Sequence, residues 1–304
     1  MSAIDNCFAQ LRLEGKKAFI PFVTAGDPSL EITARLLMAL QEAGCAMAEL
    51  GIPYSDPIAD GPVIQDSYTR ALNSGVKLSG IMEMVSGLKP TIQIPLISMV
   101  SCSIIQRVGA AAFISQSQAA GFAGSIVPDL LVEESDQLRQ LCRAKDYSLI
   151  HLVTPTTPKE RMLRIAESSS GFLYFVSVTG ITGERNQLPA DLIEKVQWLR
   201  ERTDLPICIG FGISRVEHVQ HLAPVADGLI VGSAIVRKFA EQVSAEIEAA
   251  EQASTKPASS ADKESSAKAA AERGIEAVRQ LALELISALN SVQPGKEADS
   301  AANR

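Results

Sequence analysis

Three carboxylates fall within one short stretch, Ala48-Glu49-Leu50-Gly51-Ile52-Pro53-Tyr54-Ser55-Asp56-Pro57-Ile58-Ala59-Asp60-Gly61-Pro62. Glu49 stands among Met47, Ala48, Leu50 and Ile52, where a buried strand should carry a hydrocarbon side chain. A charged carboxylate without partners is strongly disfavoured there, so its pKa rises and it becomes able to give and take a proton near neutral pH. Two plainer roles fit the same residue: an outward-pointing strand end, or a satisfied hydrogen bond in the core. Asp56 and Asp60 lie in the Pro- and Gly-punctuated loop that follows.

A second set of residues is suited to an anion. Thr179-Gly180-Ile181-Thr182-Gly183, Gly210-Phe211-Gly212-Ile213-Ser214 and Gly232-Ser233-Ala234 each follow a short apolar run. Glycine lets backbone N–H groups approach a ligand, and a helix start favours negative charge. Each glycine alone is equally a tight turn; three at corresponding places favour a phosphate site.

These side chains must be held by the elements around them. Strand-like runs fall near 19–23, 46–52, 96–101, 124–128, 148–153, 172–177, 206–210 and 227–231, most of them continuously apolar, as in a parallel sheet buried on both faces. Helical spacing lies between them, for example over 29–43, 133–145, 158–168, 190–202 and 215–222, and residues 2–13 form an extra helix before the first strand. Eight strands alternating with helices predict an α/β chain folded as a (β/α)8 TIM barrel. Its C-terminal mouth, the usual place for chemistry, would hold Glu49 and Asp60 on one side and the glycine loops on the other.

The remaining features are quieter. The composition is 46% hydrophobic and 21% charged with a net charge of −7, which fits a globular protein and argues against a nucleic-acid surface. Five scattered cysteines without a C-x-x-C pair suit a reducing compartment and neither a disulfide framework nor a zinc site. With no signal-like or membrane-length apolar run, the expected location is cytoplasmic, away from membranes. Residues 252–270 are rich in Ala, Ser, Lys and Glu and read as a solvated, flexible low-complexity insertion. Ile275, Val278, Leu281, Ala282, Leu285, Ile286 and Leu289 then make one apolar helix face, so residues 1–304 form a single barrel domain with that insertion before its last helix. His218 and His221 read as surface positions on a helix, His151 as a satisfied core or strand-end residue, and Trp198 as packing.

Phe22-Val23-Thr24-Ala25-Gly26-Asp27-Pro28, the Glu49–Pro62 stretch, Val127-Pro128-Asp129-Leu130, Gly180-Ile181-Thr182-Gly183 and Gly210-Phe211-Gly212-Ile213-Ser214, in that order, resemble the tryptophan synthase alpha chain family. The likeness covers nearly the whole chain outside 252–270. It implies a lyase that cleaves indole-3-glycerol phosphate to indole and glyceraldehyde 3-phosphate by a retro-aldol reaction. By that resemblance Glu49 serves as acid and base at indole C3 and the side-chain hydroxyl, and Asp60 accepts from the indole N–H. Phe22, Ile64, Met99, Tyr174 and Phe211 would sandwich the indole, their plainer role being barrel core. Gly183, Gly212, Gly232 and Ser233 would hold the phosphate, and Thr182 would meet Asp60 as a lid closes. The resemblance implies a beta-chain partner in an alpha2beta2 heterotetramer, with the loop around Pro53 and Asp56 at the interface. It implies no cofactor in this chain, pyridoxal phosphate belonging to the beta chain. Four residues depart from the family: Ser101 and Ser103 stand where a Tyr and an Asn are common, Asp66 where an uncharged residue is common, and Tyr54 where a Phe is; the 252–270 insertion is also unusual in length. Two other functions share the same features: a non-catalytic phosphate-binding subunit that activates a beta chain, and another phosphosugar barrel.

Overall fold

The computed structural model describes residues 1–58, 60–177, 192–210, 212–253 and 260–292. Its strands are β1 (Ala18–Thr24), β2 (Ala48–Gly51), β3 (Leu96–Met99), β4 (Phe122–Ile126), β5 (Ser148–Ile150), β6 (Leu152–Val153), β7 (Leu173–Val176), β8 (Ile207–Gly210) and β9 (Gly228–Val231). All pair in parallel, in the order β5-β4-β3-β2-β1-β9-β8-β7-β6. β5 and β6 are consecutive halves of the one run read at 148–153. The first half pairs with β4 and the second with β7, so that run closes the sheet into a (β/α)8 barrel. The ladder changes hands at His151, whose carbonyl accepts from the Tyr174 N–H at 3.1 Å.

The helices are α1 (Ala3–Leu13), α2 (Leu30–Glu42), α3 (Pro62–Asn73), α4 (Leu78–Leu88), α5 (Cys102–Val108), α6 (Ala110–Ala120), α7 (Asp136–Arg143), α8 (Lys159–Ser168), α9 (Leu192–Arg200), α10 (Val216–Leu222), α11 (Ser233–Ala253) and α12 (Ser260–Ser291). The strands read as unbroken apolar runs because both of their faces are buried. Ile20, Phe22, Met47, Ile97, Met99, Ile126, Tyr174 and Cys208 belong to a cluster inside the barrel. Phe19, Val23, Leu50, Phe175 and Ile209 pack outward with the helices. The period of two therefore sets Glu49, two residues after Met47, on the inward face of β2.

α1 lies at the N-terminal end of the strands. A capping box between Ser2 and Asp5 starts it. It buries Ile4 and Phe8 in the interior cluster, with Phe8 edge-on to Phe172 at 5.9 Å.

Residues 252–270, expected as a solvated excursion, are helical where the structure describes them, at 252–253 and 260–270, and Ala270 is buried. Poverty in large apolar residues limits burial, yet Ala, Glu and Lys are strong helix formers, so α12 starts well before its apolar face does. That face docks as expected, with Val278, Ala282, Leu285 and Leu289 all buried in the outer cluster. His151 departs from its reading in one respect. It is buried, but its Nε2 has no hydrogen-bond partner among the described residues, because it sits where the strand passes from one neighbour to the other. Desolvation, then Arg139, lowers its pKa to about 4, so it is neutral. Trp198 packs as expected, between Lys159 and Arg202, at 5.0 and 4.6 Å from its ring.

Candidate active site

A cavity of about 190 Å³ opens at the C-terminal ends of the strands, room for far more than single waters. Phe22, Glu49, Asp60, Ile64, Met99, Tyr174, Gly212, Gly232 and Ser233 all line it. Thr182, Gly183 and Phe211 lie outside the described residues.

Glu49 is fully buried, and neither carboxylate oxygen has a hydrogen-bond partner among the described residues. Desolvation therefore holds its pKa well above the usual 4.5 and favours the protonated carboxyl. Of the readings open from sequence, the outward strand end and the satisfied core hydrogen bond are both excluded. Its pairing neighbours are Phe22 on β1 and Ile97 on β3, so apolar groups flank it on both sides. The next inward position is Gly51, and a Cβ there would run into the Phe22 ring and come within 2.7 Å of the Tyr68 hydroxyl. Glycine thus keeps the mouth open directly above Glu49.

Asp60 sits in the loop between β2 and α3, where desolvation raises its pKa from 3.8 to about 6. It remains largely ionised at pH 7, while complete burial favours the protonated form of Glu49, so their environments set the two carboxyls apart. The loop is stapled from the first turns of α3. The Gln65 Nε2 donates to the Asp60 carbonyl at 2.7 Å and to the Pro57 carbonyl at 3.3 Å. Ile64, from the same turn, presents its side chain to the cavity.

The opposite wall comes from the late strands. Gly212 adopts φ +76°, a conformation open to glycine, just after β8. Gly232 and Ser233 join β9 to the start of α11. A Cβ on Gly210 would fall 2.6 Å from the Tyr174 hydroxyl, so that glycine makes room for the tyrosine beside the cavity.

Sequence reasoning missed three charged or titratable side chains of this wall. Arg215, His218 and Arg237 line the same cavity. His218, read as a surface position, is half-buried, and its Nδ1 accepts the Ser214 N–H at 3.4 Å; His221 is exposed as read. The available signal was position: His218 follows Ser214 by four residues, immediately after the Gly212 turn.

Beside the cavity, Ser101 caps α5 and donates to Asp129 at 2.9 Å, while the Cys102 N–H donates to the other oxygen at 2.8 Å. The loops after β3 and β4 are thereby tied together. Among the described residues no group of three or more His, Cys, Asp or Glu could hold a metal ion, and no helix is long and apolar enough to cross a membrane.

Comparison with known proteins follows the same line. The family model for the tryptophan synthase alpha chain matches residues 8–268. The tryptophan synthase alpha chain of Rhodopirellula baltica is 54% identical over 246 residues, 80% of this chain and 88% of that protein. The corresponding protein of Synechococcus sp. strain CC9902 is 46% identical over 240 residues, 79% of this chain and 89% of that protein. Among solved structures, the tryptophan synthase alpha chain of Legionella pneumophila superposes with a TM-score of 0.80 at 30% identity, covering 98% of this chain and 100% of that one.

Proposed function

The chain belongs to the tryptophan synthase alpha chain family, which cleaves indole-3-glycerol phosphate in tryptophan biosynthesis, and we propose that Glu49 and Asp60 carry the proton transfers of that lyase reaction here. The observation that carries the reading is a fully buried, unpartnered carboxyl with a raised pKa and a largely ionised one on the same cavity, opposite a wall built on glycines.

The residues divide the reaction as follows. Glu49, protonated, gives its proton to indole C3, and the ring becomes an iminium. Asp60, ionised, accepts a hydrogen bond from the ring N–H and stabilises the positive charge. Glu49, now a carboxylate, takes the proton of the adjacent side-chain hydroxyl. The carbon–carbon bond breaks as the hydroxyl becomes an aldehyde, its electron pair returns to the ring, and indole leaves. Glu49 ends in the state in which it began. Phe22, Ile64, Met99, Tyr174 and Phe211 hold the indole. Gly183, Gly212, Gly232 and Ser233 hold the phosphate, and Thr182 closes onto Asp60 to exclude water.

The family partners a beta chain, and in tryptophan synthase the pyridoxal phosphate belongs to that chain. We propose an alpha2beta2 complex in the cytoplasm, with the Pro53–Asp56 loop at the interface, no cofactor in this chain, and the whole of 1–304 acting as one domain. The test is indole release from indole-3-glycerol phosphate, with and without a beta chain. Slow release that the partner accelerates supports the reading. A Glu49→Gln chain should lose cleavage by a factor of 10³ or more, on the order of general acid–base catalysis, while still binding glycerol phosphate; a fully active variant sinks it.

A further inference from the structure

Backbone amides place partial charges around a phosphate but bring no whole positive charge. The mouth already holds an ionised Asp60, and the chain carries −7 overall. A cation at the mouth adds the whole positive charge that the amides lack, and Arg215 and Arg237 both line it.

We propose that Arg215 and His218 form a charged side-chain wall that grips the substrate phosphate beside the glycine amides, an inference that rests on the phosphate reading given above. Both residues line the cavity together with Gly212, Gly232 and Ser233. Both leave the same turn, three and six residues after Gly212, at the start of α10. The Arg215 guanidinium makes no hydrogen bond or ion pair with any described residue, so none of them competes for its fork. Arg215 also lines a second cavity, along α11 and α12, that shares Ser214, Arg215, Ala234 and Arg237 with the first, so the residue stands where the two cavities adjoin. His218 is oriented by its own bond. Nδ1 accepts the Ser214 N–H, so the neutral ring carries its proton on Nε2 and keeps a donor for a ligand oxygen. One residue thus supplies charge and the other a directed donor. Together they make the pocket selective for phosphorylated ligands rather than for indole alone.

The experiment measures equilibrium binding of glycerol phosphate, and separately of indole, to the full chain. Arg215→Ala should weaken glycerol phosphate binding about tenfold, the scale of one charge-assisted hydrogen bond. It should also flatten the salt dependence of that binding. Arg215→Lys should recover part of the loss. Indole affinity and the melting temperature should stay at the wild-type value, because the residue is exposed and unpaired. His218→Gln should weaken glycerol phosphate binding several-fold. If Arg215→Ala binds glycerol phosphate as tightly as wild type with the same salt dependence, the wall is overturned while the phosphate site stands. If His218→Gln alone is unaffected, the histidine has no part in it. If the wild-type chain itself fails to bind glycerol phosphate, the underlying reading of the pocket is what falls.

Discussion

At Glu49, burial without a partner ties the proposed proton transfer to stability. The folded carboxyl keeps its proton well above 4.5, whereas the unfolded chain ionises near that value. Between the two, unfolding releases a proton, so rising pH favours the unfolded chain by up to about 1.4 kcal/mol per pH unit from this one group. The contribution to stability is fully present below pH 4.5 and fades as pH rises through the folded pKa. Glu49→Gln should therefore be more stable than wild type at pH 8, with the gain shrinking towards pH 5, when urea unfolding is followed across that range. An equal difference at both ends would mean that Glu49 is not held protonated. Activity should show the other carboxyl. With Asp60 raised to about 6, kcat/KM should fall about tenfold for each pH unit below 6 as the acceptor for the ring N–H is lost. Asp60→Asn should be slow at every pH and lack that acidic limb; a limb retained in the variant would belong to another group. Glu49 was legible in the sequence because it breaks an apolar run and shares its parity with Met47. His218 was not, because its place depends on the turn at Gly212, and helical spacing alone gives no reason to prefer the pocket over solvent.

Elements explain how the second carboxyl keeps its place. The loop from β2 to α3 is short of regular structure, and the Gln65 amide ties it down by bonding both the Asp60 and Pro57 carbonyls. α3 is anchored in turn: Arg70 forks onto Asp27 at 2.9 and 2.7 Å, and Ser67 bonds Thr24 at 2.7 Å. Asp66, four residues before Arg70, adds a small favourable charge beside that pair. Gln65→Leu keeps the bulk and removes the donor. It should lower kcat about tenfold by letting Asp60 drift, while glycerol phosphate affinity stays within about twofold and stability within about 1 kcal/mol. Unchanged kcat would show that the loop is held by other means. The strand pattern was legible because both barrel faces demand apolar residues. The helix at 260–270 was not, because its composition speaks to burial more clearly than to helicity. The division of 148–153 between two neighbours also escaped the sequence, since one apolar run looks the same whichever strands it joins.

Across the whole molecule, chemistry and stability are assigned to opposite ends of one barrel. The C-terminal mouth tolerates features that weaken a fold: an unpartnered Glu49, an Asp60 with a raised pKa, and a cavity. The N-terminal end is built differently. There α1 fills the barrel floor with Ile4 and Phe8, and a Cβ on Gly171 or Gly124 would press on Ile4 at 3.1 Å, so backbone and helix are fitted closely. Ser148 donates to Ser2 at 2.9 Å and fastens the helix to the strand that closes the barrel. Phe8→Ala should accordingly cost about 3–5 kcal/mol of stability through the cavity it leaves, seen as a lower urea midpoint with little change in slope. Its kcat and KM, measured well below the unfolding range, should match wild type, since the floor and mouth are separated by the layers of the interior cluster. Glu49→Gln should show the reverse pattern, inactive and no less stable. If Phe8→Ala instead altered KM before it unfolded, the floor would be coupled to the indole pocket, and Phe172, which packs on Phe8, and Tyr174, two residues further on at the cavity, would be the residues to test.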